Sequence, residues 1–349
     1  MSSRLRVLHA IRSDGFAGVE RHVAVLARAQ TQQGHAVVVI GGGADQMRPA
    51  LAGSPVTWMP GQTVPKVLQG LIRAGGGADV VHAHMTAAEC AAAAASYCPT
   101  RGTPLVVTRH FAGPRGSSRL GGLAAKLIVR RSDAQIAISG YVADRVEGAS
   151  TVIFPGVASA DLPSAEREPV VLIAQRLEAE KDTATAIEAF ARSELAARGW
   201  RLRIAGDGSL RPALERQAAE LGIAQSTEFL GMRTDVSELM GAAGLMLAPC
   251  AVEGLGLGVL EAMSVGLPVV ASRSGGHLET LPQPAHRFCF RPGDAASAAA
   301  ALRQLAADPE ARGALAQQGR QRQREIFVPA AQAERTEAVY RSVIERTGA

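Results

Sequence analysis

Between residues 253 and 261 the chain reads Glu253, Gly254, Leu255, Gly256, Leu257, Gly258, Val259, Leu260, Glu261, soon after an apolar run that ends at Ala248. Glycines at alternate positions open a helix-period segment, so the backbone can come close to a ligand. The first amides of a helix have no partner inside it, and with the helix dipole they form an anion site. Glu261, about one turn in, can accept hydrogen bonds from vicinal hydroxyls such as those of a ribose while the amides hold phosphates. As a bare pattern, a glycine-rich turn before a helix is common and identifies no ligand.

A second cluster, Gln175, Arg176, Leu177, Glu178, Ala179, Glu180, Lys181, follows the apolar run 170–174. Arg176 and Lys181 stand five residues apart where a strand would open into a helix, and both could reach a diphosphate there. The bland alternative is a solvated loop whose cations pair with Glu178 or Glu180. Of 37 basic residues only three are lysines, Lys66, Lys126 and Lys181. Where arginine is the default, a lysine hints that a compact ammonium is wanted.

Other polar residues are read more plainly. His82 and His84 are expected to be structural hydrogen-bonders at a strand end, and Asp207 to serve a turn. With no Asp-x-Asp and no other convincing carboxylate cluster, the expected chemistry uses no metal and no cofactor. Cys90, Cys98, Cys250 and Cys289 form no CxxC pair and are expected as reduced, buried thiols.

The elements that must position these residues follow from periodicity. The chain of 349 residues, 47% hydrophobic and 20% charged, suits two domains and is no polyelectrolyte. Short β-branched runs at 5–10, 36–40, 80–82, 105–108, 135–138 and 151–154 alternate with helix-period stretches at 19–33, 64–74, 86–98, 118–132 and 140–147. The pattern lapses over 156–168 and restarts with strands expected at 170–174, 202–205, 228–230, 245–247, 268–271 and 287–290. Helices are expected near 182–198, 209–222, 235–242, 257–265, 295–307, 309–323 and 329–346. Continuous apolar strands between helices predict parallel sheets covered on both faces. The expected organisation is one α/β domain over 1–155, a linker over 156–168, a second α/β domain over 169–325, and a last helical segment over 326–349. In doubly wound sheets ligands bind beyond the carboxyl ends of the strands.

Charge is uneven: residues 1–155 hold 16 basic and 8 acidic side chains, residues 156–349 hold 21 and 24. A basic half invites an anionic partner. No basic–aromatic interleaving or zinc-finger spacing supports nucleic acid. The stretch 115–131 carries Arg115, Arg119, Lys126, Arg130 and Arg131 beside Leu120, Leu123, Leu127 and Ile128. It reads as a core-packed helix with a solvated basic face, or as a face that leans on an anionic membrane or acidic acceptor. With no signal-peptide core and no apolar run of membrane-spanning length, the expected location is cytoplasmic, either free or peripheral at the inner membrane face.

In combination these motifs resemble the retaining glycosyltransferases of family 4, which have the GT-B fold of two Rossmann-like doubly wound α/β domains facing a central cleft. The second half carries Arg176 and Lys181, the turn Gly206, Asp207, Gly208, the run Phe229, Leu230, Gly231, and Glu253 and Glu261 leading into Ala262, Met263 and Gly266, Leu267, Pro268, Val269, Val270. The first half agrees through Gly18, Val19, Glu20, Arg21; Gly34, His35; residues 79–84; Thr108, Arg109, His110; and Ala137, Ile138, Ser139. The likeness covers nearly the whole chain.

It implies a hexosyltransferase-type enzyme whose donor is a nucleotide-diphosphate sugar, a UDP-sugar on family base rates, with retention at the anomeric carbon. It also implies that 1–155 is the acceptor-side domain, 169–325 the nucleotide-sugar domain, and that the helix of 326–349 crosses back to the first domain. Arg176 and Lys181 match the pair that neutralises the diphosphate, Glu261 the ribose glutamate, and Glu253 the glutamate at the donor sugar. Gly254, Leu255, Gly256 and Leu257 match the loop whose amides meet phosphate and sugar. Met232 matches the position whose main chain pairs with the base, and Gly206 is counted with the donor-binding positions. His110 matches a first-domain histidine beside the donor sugar, and Gly18 a glycine loop near phosphates and acceptor. Ala17 replaces a glycine there, and Leu255 stands where phenylalanine is usual, which changes pocket shape. The acceptor is unassigned: a glycan, a glycolipid or a small natural product. Rival readings are a nucleotide-sugar epimerase or hydrolase, a dinucleotide oxidoreductase lacking its full Gly-x-Gly-x-x-Gly, and a non-catalytic sugar-nucleotide-binding module.

Overall fold

A computed structural model describes residues 3–96, 102–115, 130–161 and 166–348. The chain divides into two compact units, Met1–Gly156 with Phe327–Ala349, and Val157–Ile326.

Unit 1 is built on β1 (Arg6–Ile11), β2 (Ala36–Ile40), β3 (Thr57–Met59), β4 (Val80–His84), β5 (Leu105–Arg109), β6 (Ala134–Ala137) and β7 (Thr151–Val152). All pair in parallel, in the order β3-β2-β1-β4-β5-β6-β7. The order runs outward in one direction from β1 and in the other from β4, so the switch point lies between these two strands. One face packs Leu8, Val81 and Val107 against the helices Val64–Ala74 and Thr86–Ala95, where Ala88, Ala91, Ala92 and Ala95 are buried. The alanine run 91–95 is thus a close-packed helix, in line with alanine's high helix propensity.

The other face packs Val7, Val80, Val106 and Ile136 against the helix Gly18–Gln32 and against Tyr340 and Val343 of the helix Pro329–Thr347. Side chains alternate along a strand. Val7 is therefore followed on this face by His9, Val80 by His82 and His84, and Val106 by Thr108. Register puts His9 beside His82 and His84 beside Thr108. An apolar floor turns polar at the carboxyl ends of the strands.

Unit 2 is built on β8 (Glu168–Ala174), β9 (Arg201–Ala205), β10 (Thr227–Gly231), β11 (Ala243–Ala248) and β12 (Val269–Ala271), in the order β10-β9-β8-β11-β12, again all parallel. Its switch point lies between β8 and β11. Long helices Thr183–Ser193, Arg211–Glu220, Ala295–Ala307 and Pro309–Ile326 complete the unit, with shorter ones at Val236–Ala242 and Leu257–Ser264.

Some expectations fail. The strand expected at 287–290 is absent: a 3₁₀ turn occupies Gln283–Phe288, and Phe290 makes a single bridge to Ser272. With that turn before it and Pro292 after it, too little chain is left to pair. The short β3 and the helix Ala44–Leu51, which contains Pro49, were not foreseen. Most of the helix expected at 118–132 lies outside the described residues.

Candidate active site

The loops that follow β8 and β11 flank the switch point of unit 2, and the two strongest sequence clusters sit on them. Lys181 ends the 3₁₀ turn Ala179–Lys181 after β8. Glu253 lies on the loop after β11. Their side chains meet: Lys181 Nζ donates to Glu253 Oε2 at 2.6 Å, with both groups mostly buried. Burial opposes charge on each partner, but mutual attraction outweighs it. The lysine pKa is pushed above its ordinary value and the glutamate's below. Arg176 takes the bland alternative, since its guanidinium is exposed and bonds Glu180 at 2.8 Å.

The Glu253 loop is held by a segment that sequence reasoning did not single out. Ser272 donates to the Cys250 carbonyl at 2.5 Å, Gly276 N to the Glu253 carbonyl at 2.9 Å, and Thr280 Oγ1 to the Leu255 carbonyl at 2.6 Å. Buried His277 packs beneath, its Nδ1 3.1 Å from the Ser272 hydroxyl and its pKa lowered by burial. Gly275 has φ +60°, and a Cβ there would lie 2.2 Å from the Glu253 carbonyl oxygen. Cys250 Sγ donates to the Glu180 carbonyl at 3.2 Å, joining the two loops; burial, then Glu253, push its thiol up to about 11. Of the thiols expected to be buried, Cys250 is, Cys90 and Cys289 are half-buried, and Cys98 lies outside the described residues.

Gly256 caps the helix Leu257–Ser264 without a side chain. Leu255, expected to shape the pocket, is 1% exposed and belongs to the core. Glu261 is half-buried on the first turns of that helix, and Met232 is exposed at the end of β10. Gly206 directly follows β9 at φ +141°, where a Cβ would lie 1.9 Å from the Gln175 carbonyl oxygen. It therefore lets β9 close on the Arg176 loop. Gly41 does the same in unit 1, where a Cβ would lie 1.9 Å from the Ile11 carbonyl oxygen; that counterpart was missed.

In unit 1, Gly18 is exposed at the first position of its helix, and the switch point holds histidines. His9, His22, His82, His84 and His110 are all at most 7% exposed. His82 bonds Thr108 and Tyr340, as a structural histidine should. His110 Nε2 lies 3.1 Å from His84 Nδ1. Burial holds every one of these imidazoles neutral, with His9 lowered to about 4 and His110 to about 3, Arg109 adding to the effect at His110. Nitrogens of His9, His82 and His84, and of His22, His84 and His110, lie within 4.8 Å of one another. Those spacings could admit a metal ion, yet most of the nitrogens already serve hydrogen bonds.

His110 lines a pocket with Met85, Thr86 and Phe111. Met85 there has φ +73°, a strained value for a residue with a side chain. Arg109, on the same wall, is bound to Glu147 at 2.9 Å and to the Gly113 carbonyl at 2.7 Å. Arg115, expected on a solvated basic face, is instead 2% exposed. Its Nε donates to buried Glu89 at 2.5 Å and its other nitrogens reach Gln135 and Glu147. Arg131 pairs with Asp133, Arg130 is exposed, and Arg119 and Lys126 lie outside the described residues.

Two doubly wound parallel units define the class of the protein: it has the GT-B fold. Two solved structures superpose over almost the whole chain at low identity. HepE of Anabaena, crystallised with UDP and glucose, gives a TM-score of 0.81 at 21% identity, over 97% of this chain and all of that one. Sucrose-phosphate synthase of Thermosynechococcus elongatus gives 0.75 at 20%, over 99% and all of its chain.

The sequence matches the glycosyl transferases group 1 family over residues 157–322 and glycosyltransferase family 4 over residues 16–159. The chain belongs to this glycosyltransferase family. Among relatives, glycogen synthase of Mycobacterium tuberculosis is 33% identical over 267 residues, 70% of this chain and 64% of that enzyme. The 2-deoxystreptamine glucosyltransferase of Streptomyces kanamyceticus is 29% identical over 54% of this chain and 49% of its own. The matched region thus spans less than two thirds of these relatives.

Proposed function

We propose that this chain is a metal-independent, retaining hexosyltransferase that moves a sugar from a nucleotide-diphosphate donor, a UDP-sugar, to a hydroxyl acceptor. One observation carries the reading: Lys181 and Glu253, from the two loops that flank the switch point of unit 2, meet in a partly buried ion pair. Glycosyl transfer builds positive charge on the sugar and negative charge on the departing diphosphate. A lysine and a glutamate side by side can answer both. On donor binding the ammonium turns to the diphosphate, with Arg176 and the first amides of the helix Leu257–Ser264, and Glu253 is left to the sugar hydroxyls. Glu261 takes the ribose, Met232 offers its main chain to the base, and Gly206 keeps the Arg176 loop in place. Placed cations and amides then do what a metal does elsewhere, and no cofactor is needed. Retention follows from same-face attack with the leaving phosphate as base.

The donor choice draws on HepE, solved with UDP-glucose, and on the family. Unit 1 is assigned the acceptor side, with Gly18 and the pocket at His110. Among the described residues no helix is long and apolar enough to cross a membrane. Peripheral contact with an anionic, cytoplasmic leaflet now rests on Arg130 with Arg119 and Lys126, and vesicle co-sedimentation at low and high salt tests it.

The decisive experiment screens UDP, GDP, ADP and dTDP sugars for binding, then measures turnover with EDTA present, for the wild type and Lys181→Ala. Turnover should survive EDTA and fall on the order of 10²-fold in the variant, the scale of losing one transition-state charge partner. Donor consumed at a useful rate without acceptor would favour an epimerase or hydrolase. Binding without turnover would favour a non-catalytic module.

A further inference from the structure

Buried imidazoles between a sheet and its covering helices need a reason, because polar groups there lose their hydration. In unit 1 they form a chain with a direction. Gln30, on the helix Gly18–Gln32, donates from Nε2 to the Tyr340 hydroxyl at 3.2 Å. Its carbonyl Oε1 faces His9 Nε2 at 2.7 Å. A carbonyl oxygen only accepts, so the proton of His9 sits on Nε2 and Nδ1 holds a lone pair. His9 Nδ1 lies 3.0 Å from His84 Nε2, which must then carry the proton of His84. His84 Nδ1 accepts in turn from His110 Nε2 at 3.1 Å. The last ring in the series is left with a bare Nδ1.

The other branch agrees. The Tyr340 hydroxyl accepts from Gln30 and gives its own proton to His82 Nδ1 at 2.6 Å, so His82 Nε2 donates to Thr108 Oγ1 at 2.7 Å. The Gln30 amide nitrogen is thus taken up by Tyr340, and its oxygen is left for His9. With the amide so oriented, one tyrosine on the helix Pro329–Thr347 is linked to the tautomer of a histidine four contacts away.

We propose that Tyr340, Gln30, His9 and His84 are positioning residues that hold His110 as a pure hydrogen-bond acceptor, its Nδ1 lone pair offered to a sugar hydroxyl at the pocket beside Met85 and Thr86. The ligand group is thereby specified as a neutral hydroxyl donor and not a phosphate or carboxylate. The surroundings fit, since the Arg109 cation in the wall of this pocket is bound to Glu147. The hydroxyl assignment rests on the sugar-transfer reading above; the tautomer does not.

The test is ¹⁵N spectroscopy of histidine-labelled protein without ligand, with His110 assigned by substitution to Asn. His110 should show a protonated Nε2 and a bare Nδ1, unchanged between about pH 7.5 and about pH 6. Tyr340→Phe frees the Gln30 amide to turn over and should give His110 mixed tautomers. Gln30→Glu, which keeps an acceptor oxygen against His9, should retain the wild-type tautomer. A purely structural Tyr340 would leave the His110 nitrogens untouched. A protonated Nδ1 in the wild type, an unchanged spectrum in Tyr340→Phe, or ring shifts on equimolar zinc would each overturn the proposal, the last by marking a metal site. The expected tautomers without any turnover of a nucleotide sugar would leave the network standing and remove the transferase reading.

Discussion

Acid should unfold unit 1. Five of its buried imidazoles, those of His9, His22, His82, His84 and His110, are held neutral by burial, His9 down to about 4 and His110 to about 3. An unfolded chain binds a proton at each below about pH 6.5, while the folded state does not, so stability present above that value is lost as pH falls. At about pH 5.5 each ring costs on the order of 1.4 kcal/mol. Coupling between rings does not alter this while the folded state keeps all of them neutral. Five rings give a loss of about 7 kcal/mol, comparable to the whole stability of a domain, about 5–15 kcal/mol. Each unit has one tryptophan, Trp58 in unit 1 and Trp200 in unit 2. Urea unfolding followed by fluorescence in Trp200→Phe reports unit 1, and in Trp58→Phe unit 2, where among the histidines His277 alone has a lowered pKa. The Trp58 midpoint should fall steeply from about pH 7.5 to about pH 5.5, and the Trp200 midpoint much less. An unchanged Trp58 midpoint would refute the argument.

Gly275→Ala should weaken UDP binding and lower the melting temperature together, because a methyl group cannot sit 2.2 Å from the Glu253 carbonyl; calorimetric titration with UDP checks it, and wild-type affinity would show that the loop yields freely. Arg115→Met strands the carboxylate of buried Glu89 and should cost on the order of 3–5 kcal/mol, most of it recovered when Glu89→Gln is added; denaturant unfolding of the single and double variants decides between this and a merely packed arginine. Lys181→Arg should lower UDP affinity on the order of tenfold, about 1.4 kcal/mol, since a forked guanidinium locks onto Glu253 and is slower to leave it for a phosphate. UDP binding as tight as in the wild type would remove that distinction.

Much of this was legible in the sequence because parallel strands buried on both faces leave continuous apolar runs. That is why β2 was found at its observed bounds and β3, three half-buried or exposed residues, was not. Lys181 and Glu253 were legible as loop residues after their strands. Their contact was not, because it depends on β8 and β11 being neighbours, which only the strand order supplies. The clamp from Ser272 to Thr280 was hidden for the same reason, since its hydrogen bonds reach back 22 to 25 residues to a loop on another strand. The histidine network did leave a trace: valine and histidine at alternate positions in 80–84 mark one sheet face that changes character. His9 and Tyr340 could not be joined to it without the register and the returning helix.

The surplus of arginine, which first pointed to an anionic partner, has an architectural use instead. A helix ends with carbonyls that have no amide to bond. Arg6 donates to the Ala74 and Gly76 carbonyls at the end of Val64–Ala74, and Arg28 to Ala50 and Ala52 at the end of Ala44–Leu51. Arg167 reaches four carbonyls, of Met240, Gly241, Ala243 and Val265, and Arg312 those of Leu305 and Ala306. A planar fork with five N–H groups can hold two or more such oxygens from fixed directions, which a lysine's point charge cannot do as well. Arginine here completes backbone hydrogen bonding as much as it carries charge, so net charge by half says little about partners. The same reasoning isolates Lys181. Lys66 is exposed on its helix, while Lys181 is mostly buried against Glu253 at a switch point. Where these arginines hold fixed carbonyls, the proposed transfer gives Lys181 the opposite task, that of a cation that changes partners.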